Sequence, residues 1–232
     1  MNTPPALTEV HLNTSAFTVE QYLIRKDLLD DSVDRDHYDL DAPYQRPSVW
    51  TVEQRRALIK SLIMGLPVGA VTVSELPFDG GYCTKPDGFY RVIDGQQRIR
   101  AIRAFVANEF TVPGSWFTPR QLEDGNDRNS EVTWSKLSRL GRWRINMAQL
   151  PSMSYDAIRE FEYDAEGALV RTKVKKPNGK IEDGGGKYRK RTPDEVLAAE
   201  AELFLLLNGG GTAQTDEHMI SVANYVTKMR GE

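Results

Sequence analysis

The segment FYRVIDGQQRIRAIRAFV, residues 89–106, changes its hydrophobic period midway and so constrains the fold more than any other stretch. Up to Ile93 it has the β-branched, apolar character of a strand. Beyond it, Ile99, Ile102, Phe105 and Val106 recur at helical spacing. Asp94 and Gly95 stand at the changeover. A chain that passes from strand to helix within so few residues packs the helix back on the sheet that holds the strand, which points to an α+β fold.

The flanking segments extend this reading. Thr51 and Gln54 have the form of a capping box. The helix they start, VEQRRALIKSLIM, places Val52, Leu58, Ile59, Leu62 and Ile63 on one apolar face and ends at Gly65. Leu66-Pro67 breaks the chain, and VGAVTVSEL reads as a strand joined to FYRVI by a hairpin-like excursion with turns at Gly80-Gly81 and Pro86-Asp87-Gly88. An earlier helix is expected from Thr18, with Val19, Tyr22, Leu23, Leu28 and Leu29 at helical spacing, followed by an acidic loop. AQLPSMSYD holds a short strand, and 157–192 reads as one or two hairpins with AEG and PNG as turns. Thr192 caps the helix DEVLAAEAELFLLLN, which stops in Gly209-Gly210-Gly211, and a last helix starts after Thr215. The expected organisation is an arm over 1–15 and a single domain over 16–232 with an insertion at 157–192.

Composition narrows the class. With 232 residues, 40% hydrophobic side chains, 4 Trp, 9 Tyr and 8 Phe, the chain can bury a core. A formal charge of -3 excludes a wholly basic, histone-like binder of nucleic acid. The one cysteine, Cys83, cannot form an intrachain disulfide, and no run approaches the roughly 20 apolar residues of a membrane span. A reducing, cytoplasmic setting without membrane contact is expected, in a bacterium or, for a phage product, in its host. No GxxxxGK[ST], HExxH, CxxC or GxSxG occurs. His11, His37, His218 and Cys83 are too scattered for a zinc site, and Cys83 reads as a packing thiol.

Four segments carry candidate chemistry. In DGQQR at 94–98, Gly95 lets a backbone approach an anion at a helix N-terminus, Gln96 and Gln97 offer amides, Arg98 offers a planar fork, and Asp94 offers a metal ligand or base. The alternative is a solvated first turn with Asp94 as N-cap. In LNGGGT at 207–212, consecutive glycines suit a phosphate nest or, equally, a C-cap and linker. In YQRPSVW at 44–50, Arg46 is either aimed by Tyr44, Pro47 and Trp50 or simply packed among them. Residues 171–191 hold nine bases and two acids, a local balance of +7 that leaves -10 on the rest of the chain. They form either a solvated loop or a contact for a phosphate backbone.

In this order and spacing, YQRPSVW, VIDGQQRIRAI and LFLLLNGGGTAQTDEHM resemble the GmrS-like N-terminal domain of GmrSD-type restriction proteins, in the ParB/sulfiredoxin-like superfamily. The resemblance covers residues 16–112 and 193–225. It implies a small mixed sheet with flanking helices, to which the inserted basic hairpin region is added. It also implies a nucleotide-binding and hydrolysing domain used in restriction or defence against phage DNA. Carried over, it places Asp94, Gly95, Gln96, Gln97 and Arg98 at the nucleotide phosphates. Arg46 is then the matching basic residue of the QR-P-x-W segment, and Asn208, Gly209, Gly211 and Thr212 form the turn that closes the pocket. The chain departs from the pattern in lacking the HNH-type nuclease domain, in carrying the 157–192 insertion, and in having no basic residue just before Leu207-Asn208.

The expectation that follows is a Mg2+-dependent NTPase without its own nuclease. Asp94 would hold the metal or activate water, Gln97 would orient the water, and Arg98 and Arg46 would stabilise charge. Its expected partners are a nucleoside triphosphate, a separate nuclease or restriction subunit, and DNA. The DNA contact would use Lys173, Lys175, Lys176, Lys187, Arg189, Lys190 and Arg191. Rival expectations are a non-catalytic DNA- or partner-binding module that senses or blocks a restriction system, a stand-alone ParB-like nuclease, and a phosphotransferase.

Overall fold

A computed structural model describes residues 12–20, 38–45, 49–75, 90–165, 168–177, 179–209 and 216–230. Its centre is a five-stranded mixed sheet built from β1 (Leu12–Ser15), β2 (Tyr38–Asp39), β3 (Val71–Glu75), β4 (Tyr90–Asp94) and a strand at Ser152–Tyr155, in the order β1, Ser152–Tyr155, β3, β4, β2. β3 and β4 run antiparallel, as a hairpin requires. The short strand at Ser152–Tyr155 lies parallel to β3, and β2 lies parallel to β4. The fold is α+β, as expected. The excursion at 76–89, Cys83 included, and the helix expected from Thr18, beyond Glu20, lie outside the described residues.

One face of the sheet is covered by α1 (Val52–Met64) and α2 (Gln96–Val106). Thr51 caps α1 through its side chain and Gln54 returns the bond, completing the capping box. Gly65 ends the helix at φ 71°, a conformation glycine reaches without strain. Leu58, Ile59, Leu62 and Ile63 of α1 and Ile99, Ile102 and Phe105 of α2 meet Val71, Val73 and Val92 in the main core. Burying each large apolar side chain stabilises by about 1.5–3 kcal/mol. Val52, expected on the apolar face, is instead exposed: it is the first residue of α1, and the buried positions of the helix begin at Leu58.

Between α2 and Ser152, the chain wraps a lobe onto the same core. The two-residue strands β5 (Val112–Pro113) and β6 (Glu131–Val132) pair there, and α3 (Arg139–Asn146) follows. Trp134 meets Phe105 edge-on at 6.0 Å. With these counted, the Ser152–Tyr155 strand is β7. Residues 158–192 fold into two strand pairs, β8 (Arg159–Phe161) with β11 (Tyr188–Lys190) and β9 (Arg171–Lys175) with β10 (Ile181–Gly186). No described residue in that stretch is buried, so it stands off the core.

α4 (Pro193–Gly209) and α5 (Asp216–Arg230) cover the other face. Thr192 caps α4 through reciprocal bonds with Glu195. In β4, Val92 faces the main core while its neighbour Ile93 packs with Tyr44, Ala201, Phe204 and Val222 under α4 and α5. In β3 the residues facing α4 are polar: Thr72 and Ser74 are buried, and Ser74 Oγ donates to Glu200. Arg91 donates to Glu200 at 2.9 Å and to Asp39 at 3.0 Å, and the Tyr44 hydroxyl reaches Glu200 at 3.4 Å. Burial pushes the Glu200 carboxyl above its ordinary range despite Arg91 beside it. Burial alone would lower Arg91, but the charge of Glu200 and the bonds to Glu200 and Asp39 more than offset it and hold the guanidinium protonated. Burial, reinforced by the charge of Glu200, pushes the Tyr44 phenol well up, so it stays a donor.

A fully buried acid paired with a half-buried arginine is costly to break from one side. Glu200→Ala is expected to lower stability by about 3 kcal/mol, the low end for a broken buried pair, because Asp39 still faces Arg91. Denaturant unfolding measures this. A loss under about 1 kcal/mol would mean that α4 is seated by its apolar contacts alone.

Candidate functional site

β4 carries Asp94 as its last residue, and Gly95 turns the chain into α2 at φ 97° and ψ 3°. A Cβ on Gly95 would lie 3.0 Å from Val71 Cγ2 and 3.1 Å from Val71 Cα. The start of α2 is therefore pressed against the backbone of β3, which only glycine permits. Gly95, not Asp94, is the N-cap, and it offers no side-chain bond to the first turn. The reading of Asp94 as a simple cap is thereby corrected. Asp94 Oδ2 instead accepts from Arg98 Nη2 at 2.8 Å.

The same Arg98 nitrogen donates to the Ala70 carbonyl at 2.7 Å, and the guanidinium rests on Gly69. Arg98 Nε is buried without a hydrogen-bond partner among the described residues. Gln97 Oε1 accepts from the Val49 N–H at 3.3 Å, which ties the first turn of α2 to the segment leading into α1. Gln96 is buried and its amide donates to the Leu40 carbonyl, so its side chain clamps the helix start to the β2 segment.

These groups border a cavity of about 690 Å³, within the range of ligand sites. Ile93 to Arg98 form its floor, Trp50 and Ser61 one wall, Pro67 and Val68 another, and Phe204 and Asn208 of α4 a third. Asn208 thus reaches the cavity from the far end of the sequence. Its side-chain nitrogen donates back to Phe204 O at 2.8 Å. Gly209 closes α4. Arg46, Gly211 and Thr212 lie outside the described residues.

Gln45, beside Arg46, is a site residue that the sequence reading passed over. Its amide nitrogen donates to the Val92 and Ile93 carbonyls while its buried Oε1 has no hydrogen-bond partner among the described residues. The available signal was its place in YQRPSVW. Nothing in the local sequence marks Pro67, Val68 or Phe204 as wall residues.

The basic segment stands apart from this cavity and is largely self-neutralised. Lys176 pairs with Glu182, Lys187 with Glu162, Arg189 with Glu160 and Glu195, and Arg191 with Glu160. Arg171 pairs with Asp183. Of the seven cations expected to contact DNA, Lys173, Lys175 and Lys190 are exposed and make no ion pair among the described residues.

The family model of the GmrSD restriction endonuclease N-terminal domain matches residues 26–220. The chain belongs to that family. No curated protein and no solved structure matches it. In this GmrSD N-terminal domain the matched span takes in all three motifs and the hairpins at 158–192. No described helix is long and apolar enough to cross a membrane.

The tight approach of Gly95 to Val71 is directly testable. Gly95→Ala is expected to cost about 1–3 kcal/mol, from the strained φ and the clash together. Thermal unfolding of the variant checks it. A melting curve matching the parent's would contradict the close packing of α2 on β3.

Proposed function

We propose that the cavity at the β4–α2 junction binds a nucleoside triphosphate with Mg2+ and hydrolyses it or transfers its γ-phosphate, in a restriction or phage-defence process directed at DNA. The convergence on one cavity of residues distant in sequence carries this reading: Gln45, Val49 and Trp50, then Ile93 to Arg98, then Phe204 and Asn208. A helix N-terminus with no side-chain cap borders the same space, and such a terminus favours phosphate.

Among the described residues no group of three His, Cys, Asp or Glu converges as a metal cage. Mg2+ keeps several waters and is held through one or two carboxylates plus substrate phosphates, a donor set that Asp94 beside a triphosphate fits. The ion supplies charge neutralisation at the phosphates. Arg98 brings a fixed positive charge to the cavity border. Gln97, steadied by the Val49 N–H, is placed to orient a water. Asp94, held by Arg98, would serve in one of two ways. It is either the carboxylate that holds the ion or, with the ion carried by the phosphates alone, the acceptor of the proton lost as the water oxygen bonds to the γ-phosphorus and the bond to the β–γ bridging oxygen breaks. First-turn N–H groups of α2 stabilise the developing charge.

Asp94→Asn and Arg98→Ala are each expected to reduce nucleotide turnover by at least about 100-fold while circular dichroism shows both variants still folded. A phosphate-release assay over the common nucleoside triphosphates, with and without a chelator, measures this. Parent-like turnover in both variants would sink the assignment.

A further inference from the structure

The Pro67–Ala70 segment that holds Arg98 through the Ala70 carbonyl also walls a second cavity. This one has a volume of about 550 Å³ and is bounded by Leu66, Pro67, Val68, Trp143, Met147 and Pro151. Trp143 projects from α3 with 56% of its surface exposed, and Met64, Leu66 and Leu140 are exposed as well. An exposed indole beside an apolar slot marks a binding surface rather than a piece of core.

Charge identifies the occupant. Both segments that wall the slot lie in acid-free stretches: 54–74 contains Arg55, Arg56 and Lys60, and 132–155 contains Lys136, Arg139, Arg142 and Arg144. Neither has one Asp or Glu, in a chain whose net charge is -3. Arg56 and Arg142 are engaged by Glu131 and Glu123 from outside these stretches. Arg144 donates its Nε to the Ile63 carbonyl at 3.0 Å, which fixes its head at the slot. Lys136 and Arg139 are exposed and make no ion pair among the described residues. Among the described residues the slot lining has Trp143 and Arg144 and no carboxylate, with Arg139 one turn before Trp143 on α3, a combination that suits a nucleobase with its phosphates.

We infer that this groove seats an unstacked base of DNA, the base against Trp143 and its flanking phosphates on Arg139, Arg144 and Lys136. A paired base inside a duplex cannot present its face to an indole, so the substrate form is a single strand or an extruded nucleotide. The inference does not depend on nucleotide turnover in the neighbouring cavity. It also differs from a DNA contact on the inserted hairpins, whose cations are mostly paired within the protein.

Fluorescence anisotropy with the full chain and a labelled single-stranded oligonucleotide, beside its fully paired duplex, tests it. The parent protein is expected to prefer the single strand. Trp143→Ala is expected to weaken that binding by about 5- to 150-fold, the range that stacking of one base gives. Trp143→Phe keeps an aromatic face and retains most of the affinity. Arg139→Gln lowers the salt slope by about 0.7, one single-strand phosphate contact. Because Trp143 is exposed, its variants are expected to melt with the parent. Unchanged binding by Trp143→Ala overturns the inference, as does absence of single-strand binding by the parent. Loss confined to a Lys173→Ala/Lys175→Ala/Lys190→Ala variant places DNA on the hairpins instead. Self-association that depends on Trp143, with DNA binding unaffected, identifies a second copy of the chain as the occupant and equally overturns it.

Discussion

The start of α2 meets β3 at Gly95 and Val71, so closely that a Cβ on Gly95 would sit 3.0 Å from the Val71 side chain and 3.1 Å from its Cα. Much of the molecule is set by that contact. It fixes the direction in which β4 becomes α2, and with it which helical face meets Val71, Val73 and Val92. It also aims Arg98 across to Ala70, so that the guanidinium bridges the helix to the segment entering β3. The strand end, the helix start and the cavity floor are one rigid unit because the same few backbone atoms belong to all three.

The opposite face depends on a different interaction. α4 is seated on β3 and β4 by Glu200, to which Ser74, Arg91 and Tyr44 all donate. Burying an acid is expensive, and a well-packed apolar residue in its place is often no less stable. What the network adds is register: only one placement of α4 satisfies all three donors. That placement carries Phe204, one helical turn further on, and Asn208, two turns on, to the wall of the cavity. The polar network and the candidate site are thus linked through the rigidity of one helix.

Local periodicity made most of the architecture legible. The capping boxes at Thr51 and Thr192, the α1 stop at Gly65, and the strand-to-helix switch at Gly95 each rest on interactions within a few residues. The Glu200 network was not legible, because its partners are 109, 126 and 156 residues away in sequence. The alternation in VTVSE would ordinarily mark one solvated face, yet Thr72 and Ser74 are buried beneath α4. Likewise, DGQQR announced a phosphate-type junction but could not separate Gln96, whose amide clamps Leu40, from Gln97, which meets Val49. At the cavity, the three motifs were legible singly; that Pro67, Val68 and Phe204 complete its walls follows only from packing.

The same limit governs the charge run. Counted along the chain, 171–191 has a balance of +7. Folding brings Glu160 of β8, Glu162 just beyond it and Glu195 of α4 against it, and adds pairs with Glu182 and Asp183 inside it. Exposed pairs of this kind contribute little stability, but each cancels much of the field a phosphate would feel. The stretches around Trp143 contain no acid at all, and the few carboxylates that reach them engage Arg56 and Arg142 rather than Lys136, Arg139 or Arg144. Lys173, Lys175 and Lys190 also keep exposed charges with no ion pair among the described residues, so the two surfaces differ in the apolar slot and exposed indole at Trp143 rather than in the number of unpaired cations.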